Sequence, residues 1–87
     1  NRRYGADPIR VHINGRGSPQ AFHWRGRWYR VNSVLAFWVE ACAWWEGKTF
    51  LPGGGQREFW RVETAPDGGV YELSLSPQGW GIERVMD

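Results

Sequence analysis

Turn-forming clusters recur about every ten residues along this chain, and between them apolar side chains alternate with polar ones. This punctuation constrains the fold more than any other feature. Residues 8–13 place Ile9, Val11 and Ile13 on one side and Arg10 and His12 on the other, ahead of the turn Asn14-Gly15-Arg16-Gly17-Ser18-Pro19. Residues 20–25 set Phe22 and Trp24 against Ala21 and His23. Gly26, which takes positive φ without steric cost, then marks a tight hairpin. The return strand offers Tyr29 and Val31 to one face and Trp28 and Arg30 to the other. Residues 57–64 set Glu58, Trp60 and Val62 against Arg57, Phe59 and Arg61. The turn Ala65-Pro66-Asp67-Gly68-Gly69 is the strongest hairpin signal. Tyr71, Leu73 and Leu75 follow opposite Val70, Glu72 and Ser74, and after Pro77-Gln78-Gly79 a last strand runs from Trp80 to about Met86.

Residues 33–45 obey neither period. Leu35, Trp38, Val39 and Cys42 sit at helical spacing with Ser33 as a capping residue, yet the stretch is rich in valine and aromatics. The reading adopted is one short helical turn over residues 33–38, from Ser33 to Trp38, leading into a strand over 37–45. Residues 46–56 are read as a loop with Pro52-Gly53-Gly54-Gly55 at its tip, and residues 1–7 as an N-terminal tail. The fold expected is therefore all-β: a single small domain over residues 8–87, an antiparallel meander of five or six strands curled into an open barrel. A chain of 87 residues buries only about 60–65% of its unfolded surface, so its 14 aromatics are read chiefly as core. Val11, Phe22, Trp24, Tyr29, Val31, Trp60, Val62, Tyr71, Leu73 and Ile82 are the core residues expected.

Chemistry is hard to find in the sequence. Two histidines, His12 and His23, with one cysteine fall short of a standard zinc ligand set. Cys42 lies in an apolar run away from basic residues, an unfavourable setting for a thiolate. No serine sits in a Gly-X-Ser-X-Gly elbow, and the glycine tip lacks the lysine of a phosphate loop. The glutamates Glu58, Glu63, Glu72 and Glu83 alternate with arginines, which suggests cross-strand ion pairs. The expectation is no enzyme, no metal, no cofactor and no small-molecule substrate. One cysteine and no apolar run of 18–20 residues lead to an expectation of cytoplasmic residence away from membranes.

What remains is arginine interleaved with aromatics. His23-Trp24-Arg25-Gly26-Arg27-Trp28-Tyr29-Arg30 places three arginines and three aromatics around one hairpin, and Phe59-Trp60-Arg61 repeats the pattern. Small β-barrels hold single strands by stacking bases on aromatics beside a basic groove. Arg25, Arg27, Trp28, Arg30, Arg57 and Arg61 are accordingly the candidate residues for binding nucleic acid or a partner. Net charge of only +2 does not by itself argue for nucleic acid.

The run Phe22-His23-Trp24-Arg25-Gly26-Arg27-Trp28-Tyr29-Arg30-Val31, the pair Trp44-Trp45, the strand from Arg57 to Glu63 and the ending from Gly79 to Asp87 together resemble an uncharacterised bacterial family, a small Trp/Arg-rich domain of unknown function. The second half is also similar to the C-terminal region of the inactive Y-family polymerase-like protein of the bacterial mutasome. That similarity implies a non-catalytic adaptor, docking to a protein partner in DNA repair, replication or translesion synthesis. Direct binding of single-stranded nucleic acid through the Arg/Trp hairpin is the alternative.

Overall fold

A computed structural model describes residues 2–41 and 56–86. The expectations for Cys42, for Trp44-Trp45 and for the glycine tip lie outside the described residues. Of the expected 46–56 loop, only Gln56 is described, and it opens a strand. Among the described residues seven strands form one sheet: β1 (Arg2–Pro8), β2 (Arg10–Ile13), β3 (Pro19–Trp24), β4 (Arg27–Ala41), β5 (Gln56–Ala65), β6 (Val70–Ser76) and β7 (Gly79–Met86). Every neighbouring pair is antiparallel, in the order β1-β7-β6-β5-β4-β3-β2. β1 and β2 are consecutive in the chain yet occupy opposite edges, so the sheet must curl until its edges approach. The chain passes between them at Ile9, whose N–H donates to the Trp80 carbonyl at 3.2 Å. The result is the expected all-β architecture as an open half-barrel.

Two local expectations are corrected. Residues 2–7, read as a tail, belong to β1 and pair with β7. Their polar composition hides the strand because it lies at the sheet edge and bends at Gly5 and Ala6, both at positive φ. Residues 33–38, read as a helical turn, continue the 15-residue strand β4. The pairing of β4 with β5 slips between Val31 and Ser33 and again between Val34 and Ala36. Each bulge inserts one residue and reverses the inside–outside phase. Val31, Val34 and Phe37, three apart, therefore all oppose inner-face residues of β5, namely Thr64, Val62 and Trp60. The two bulges thus break the period of two from Val31 to Phe37, with Leu35 itself in the second bulge, and that hides the strand from its sequence pattern.

The inner face holds the core: Phe22, Trp24, Trp60, Val62, Tyr71, Leu73 and Ile82 are buried, with Tyr4, Ile9, Val11, Tyr29, Val31, Leu75, Trp80 and Val85 packed against them. All ten expected core residues are in this cluster. Phe22 stacks on Tyr29 at 4.9 Å and meets Tyr71 edge-on at 5.3 Å. Trp24 is buried with its indole N–H donating to the Asp7 carboxylate at 3.1 Å, so β1 satisfies a core donor as well as covering an edge. Gly81 permits the close approach of β1: a Cβ there would lie 2.9 Å from the Ala6 backbone.

Candidate nucleic-acid interface

Antiparallel register decides which side chains share the outer face of β2, β3 and β4. Arg10 lies opposite His23 and His23 opposite Trp28, forming one cross-strand row. His12, Ala21 and Arg30 form the next. Trp28 is 47% exposed, with the rings of His12 and His23 at 4.6 and 5.2 Å from its own. A recess of about 790 Å³ opens beside it, lined by His12, Gln20, Ala21, Trp28, Tyr29, Arg30 and Val31. A shallower one of about 290 Å³ on the other side of His23 is lined by Pro8, Ile9, Arg10, His23 and Arg25. Among the described residues, none of those lining either recess is acidic, although the chain carries nine aspartates and glutamates.

A tight hairpin joins two strands of this face. Trp24 pairs with Arg27 across the two-residue turn Arg25-Gly26, and both turn residues have positive φ, 52° and 77°. That is the type I′ geometry that matches strand twist. An arginine in the left-handed region is strained by about 1–2 kcal/mol. Its guanidinium lies over the rings of Trp24 and Tyr4, at 4.7 and 5.0 Å, and these contacts offset part of that cost.

The six residues singled out in the sequence therefore divide. Arg25, Trp28 and Arg30 border the paired recesses. Arg27 turns to the opposite side, over Tyr29 at 5.0 Å and 4.0 Å from Asp67. Arg57 and Arg61 stand on β5, on the outer face near β6 and β7. Arg57 pairs with Glu83, and Arg61 donates twice to Glu72, from Nε at 3.0 Å and Nη2 at 2.8 Å. Glu83 also accepts from the Ser74 hydroxyl at 2.7 Å. The charges of Arg57 and Arg61 are thus engaged within the protein. Trp38 stacks on Phe59 nearby, with centroids 5.5 Å apart and planes 6° from parallel.

Arg10, His12, Gln20 and His23 escaped sequence reasoning as site residues. A signal was present in the strand parity: Arg10 and His12 are on the polar side of β2, and His23 shares its side with Trp28 across the hairpin. Either histidine alone reads as a surface residue, and only the register puts both beside one tryptophan.

A second exposed feature has a different character. Val34, Leu35, Phe37 and Val39 on the second half of β4 are all solvent-exposed, with Phe37 at 53%. Phe37 touches Trp60 at 4.9 Å, and Trp60 touches Trp80 at the same distance. Among the described residues, no three histidine, cysteine or carboxylate side chains converge as a metal site, and no helix is long and apolar enough to cross a membrane. What the outer face of β2–β4 offers chemically is a stacking surface bordered by cations.

No curated protein and no solved structure matches this chain. A family model does match over residues 2–85, which takes in all seven strands except the last residue of β7, and the chain belongs to that family, the domain of unknown function DUF6504.

Proposed function

We propose that this domain is a non-catalytic binding module that holds single-stranded nucleic acid on the outer face of β2, β3 and β4. The observation that carries the reading is the half-exposed Trp28 between two histidine rings, beside recesses bordered by Arg10, Arg25 and Arg30 and lined by no acidic side chain among the described residues. Among the described residues none of these three arginines forms an ion pair, which supports a role for them in contacting phosphates. A base stacks on the indole and the backbone follows the arginines; base–aromatic stacking contributes about 1–3 kcal/mol per base. Removing the stacking ring tests this. Trp28→Ala is expected to weaken binding of a labelled oligo-dT by roughly 5–150-fold in an anisotropy titration. Its thermal unfolding is expected to stay near that of the parent, because Trp28 lies outside the core cluster. Unchanged affinity in a folded Trp28→Ala protein contradicts the reading.

The exposed strip of Val34, Leu35, Phe37 and Val39 favours a second reading, a protein-docking module. A DNA repair or replication assembly is its proposed setting, on the sequence resemblance alone. The two readings separate by salt: phosphate contacts release counterions and weaken steeply with salt, whereas apolar docking does not.

A further inference from the structure

We propose a second ligand site, distinct from the Trp28 face: a phosphate group held between Arg3 and Arg84 in the outer-face groove of β1, β7, β6 and β5. The groove has a volume of about 340 Å³, and Arg3, Gly5, Trp38, Arg61 and Arg84 are among its lining residues. β7 bulges between its pairings with Glu72 and Leu73, which sends Glu83 and Arg84 successively to the same side, and both line the groove. Three carboxylates also line it, and each is already engaged. Glu72 takes both hydrogen bonds of Arg61, Glu83 takes Arg57 and the Ser74 hydroxyl, and Glu40 accepts from the Trp38 indole at 3.0 Å.

Arg3 and Arg84 are the less engaged cations of the groove. They stand directly opposite each other on β1 and β7, a like-charge cross-strand pair that is unfavourable unless something lies between them. Among the described residues Arg3 has no carboxylate partner. Arg84 reaches Glu72 only at 3.8 Å, and its Nε is buried without a hydrogen-bond acceptor. Two arginines facing each other across the strands on one groove wall, neither hydrogen-bonded to a carboxylate among the described residues, suit an anion with several acceptor oxygens. A phosphate group carries about −1.5 to −2 charges at neutral pH and has three acceptor oxygens for guanidinium forks. Binding draws the Arg84 guanidinium from its present position towards the ligand, which gives its orphaned donor an acceptor.

The test is a titration of the whole chain followed by the arginine Nε–Hε signals in two-dimensional NMR. Inorganic phosphate, methyl phosphate and acetate are each compared with chloride at matched ionic strength. Saturable shifts of Arg3 and Arg84 are expected with phosphate, at an affinity at least roughly tenfold above that for acetate. Methyl phosphate binding as tightly as inorganic phosphate identifies a phosphomonoester as the ligand; loss of binding with the ester identifies free phosphate. Arg3→Gln alters an exposed side chain on an edge strand and is expected to keep the fold while weakening phosphate binding roughly tenfold. Shifts reproduced by chloride, acetate binding as tightly as phosphate, or full phosphate affinity in Arg3→Gln each overturn the proposal. Oligonucleotide binding is not the readout, so the outcome is independent of the Trp28 face.

Discussion

Replacing Glu72 with glutamine probes how a charged side chain comes to be nearly inaccessible on the outer face of an open sheet. Glu72 is 5% exposed, accepts two hydrogen bonds from Arg61 and lies 3.8 Å from Arg84. Glutamine fills the same volume, so no cavity is created and the effect is electrostatic. Removing one partner of a fully buried ion pair costs about 3–5 kcal/mol. Here the remaining guanidiniums are partly hydrated, with the Arg61 and Arg84 side chains 37% and 30% exposed, which reduces the expected loss to about 2–3 kcal/mol. With a urea dependence of about 1 kcal/mol per molar for so small a domain, the unfolding midpoint falls by roughly 2–3 M. Glu40→Gln is the control: Glu40 is exposed and its substitution is expected to change stability by less than about 0.5 kcal/mol. A double-mutant cycle with Arg61→Gln then isolates the coupling. A Glu72→Gln midpoint indistinguishable from that of Glu40→Gln refutes the claim that the outer face is held by this network.

Gly81→Ala forces a methyl group to within 2.9 Å of the Ala6 backbone, and an overpacking cost of about 1–3 kcal/mol is expected in urea unfolding. Asp7→Ala leaves the buried Trp24 indole N–H without its acceptor and is expected to cost about 1–3 kcal/mol; no loss refutes the role given to β1 in the core. Burial, with the neighbouring Tyr29 and Asp67 adding to it, raises the Tyr71 phenol above its ordinary value of 10.0, against a smaller lowering by Arg27. The unfolded chain therefore releases this proton first. The stabilisation is complete below pH 10 and is lost as pH rises from there through the folded-state value, so Tyr71→Phe is expected to flatten the alkaline limb of stability against pH.

The β3–β4 hairpin was legible in the sequence because Phe22 and Trp24, then Tyr29 and Val31, keep strict alternation on either side of Gly26. The β5–β6 hairpin was legible for the same reason around its proline–glycine turn. β1 was not, because an edge strand bent at Gly5 and Ala6 sends chiefly Tyr4 and Asp7 toward the core and leaves no apolar period to read. In β4, Asn32 and Leu35 occupy the bulges, and nothing local distinguishes a bulge residue from a step in a helix. The candidate site was legible by composition but not by placement. Arg25, Arg27 and Arg30 are spaced closely on one hairpin, yet register sends Arg27 across to Asp67, while Arg10 and His12 arrive beside Trp28 from a strand more than ten residues earlier in the chain. Which arginines are free depends on β6 and β7, whose Glu72 and Glu83 take up Arg61 and Arg57.

The most direct test of the proposed function is a titration of the parent domain with single-stranded and double-stranded oligonucleotides at several salt concentrations, followed by tryptophan fluorescence. With one phosphate contact each from Arg10, Arg25 and Arg30, log affinity for single strands is expected to fall against log salt with a slope of about −2, and Arg30→Gln to reduce that slope by about 0.7. Saturable quenching with this dependence and a preference for single strands supports the Trp28 face as a nucleic-acid interface. A flat trace from folded protein at low salt contradicts it and leaves the apolar strip of β4 as the surface to pursue.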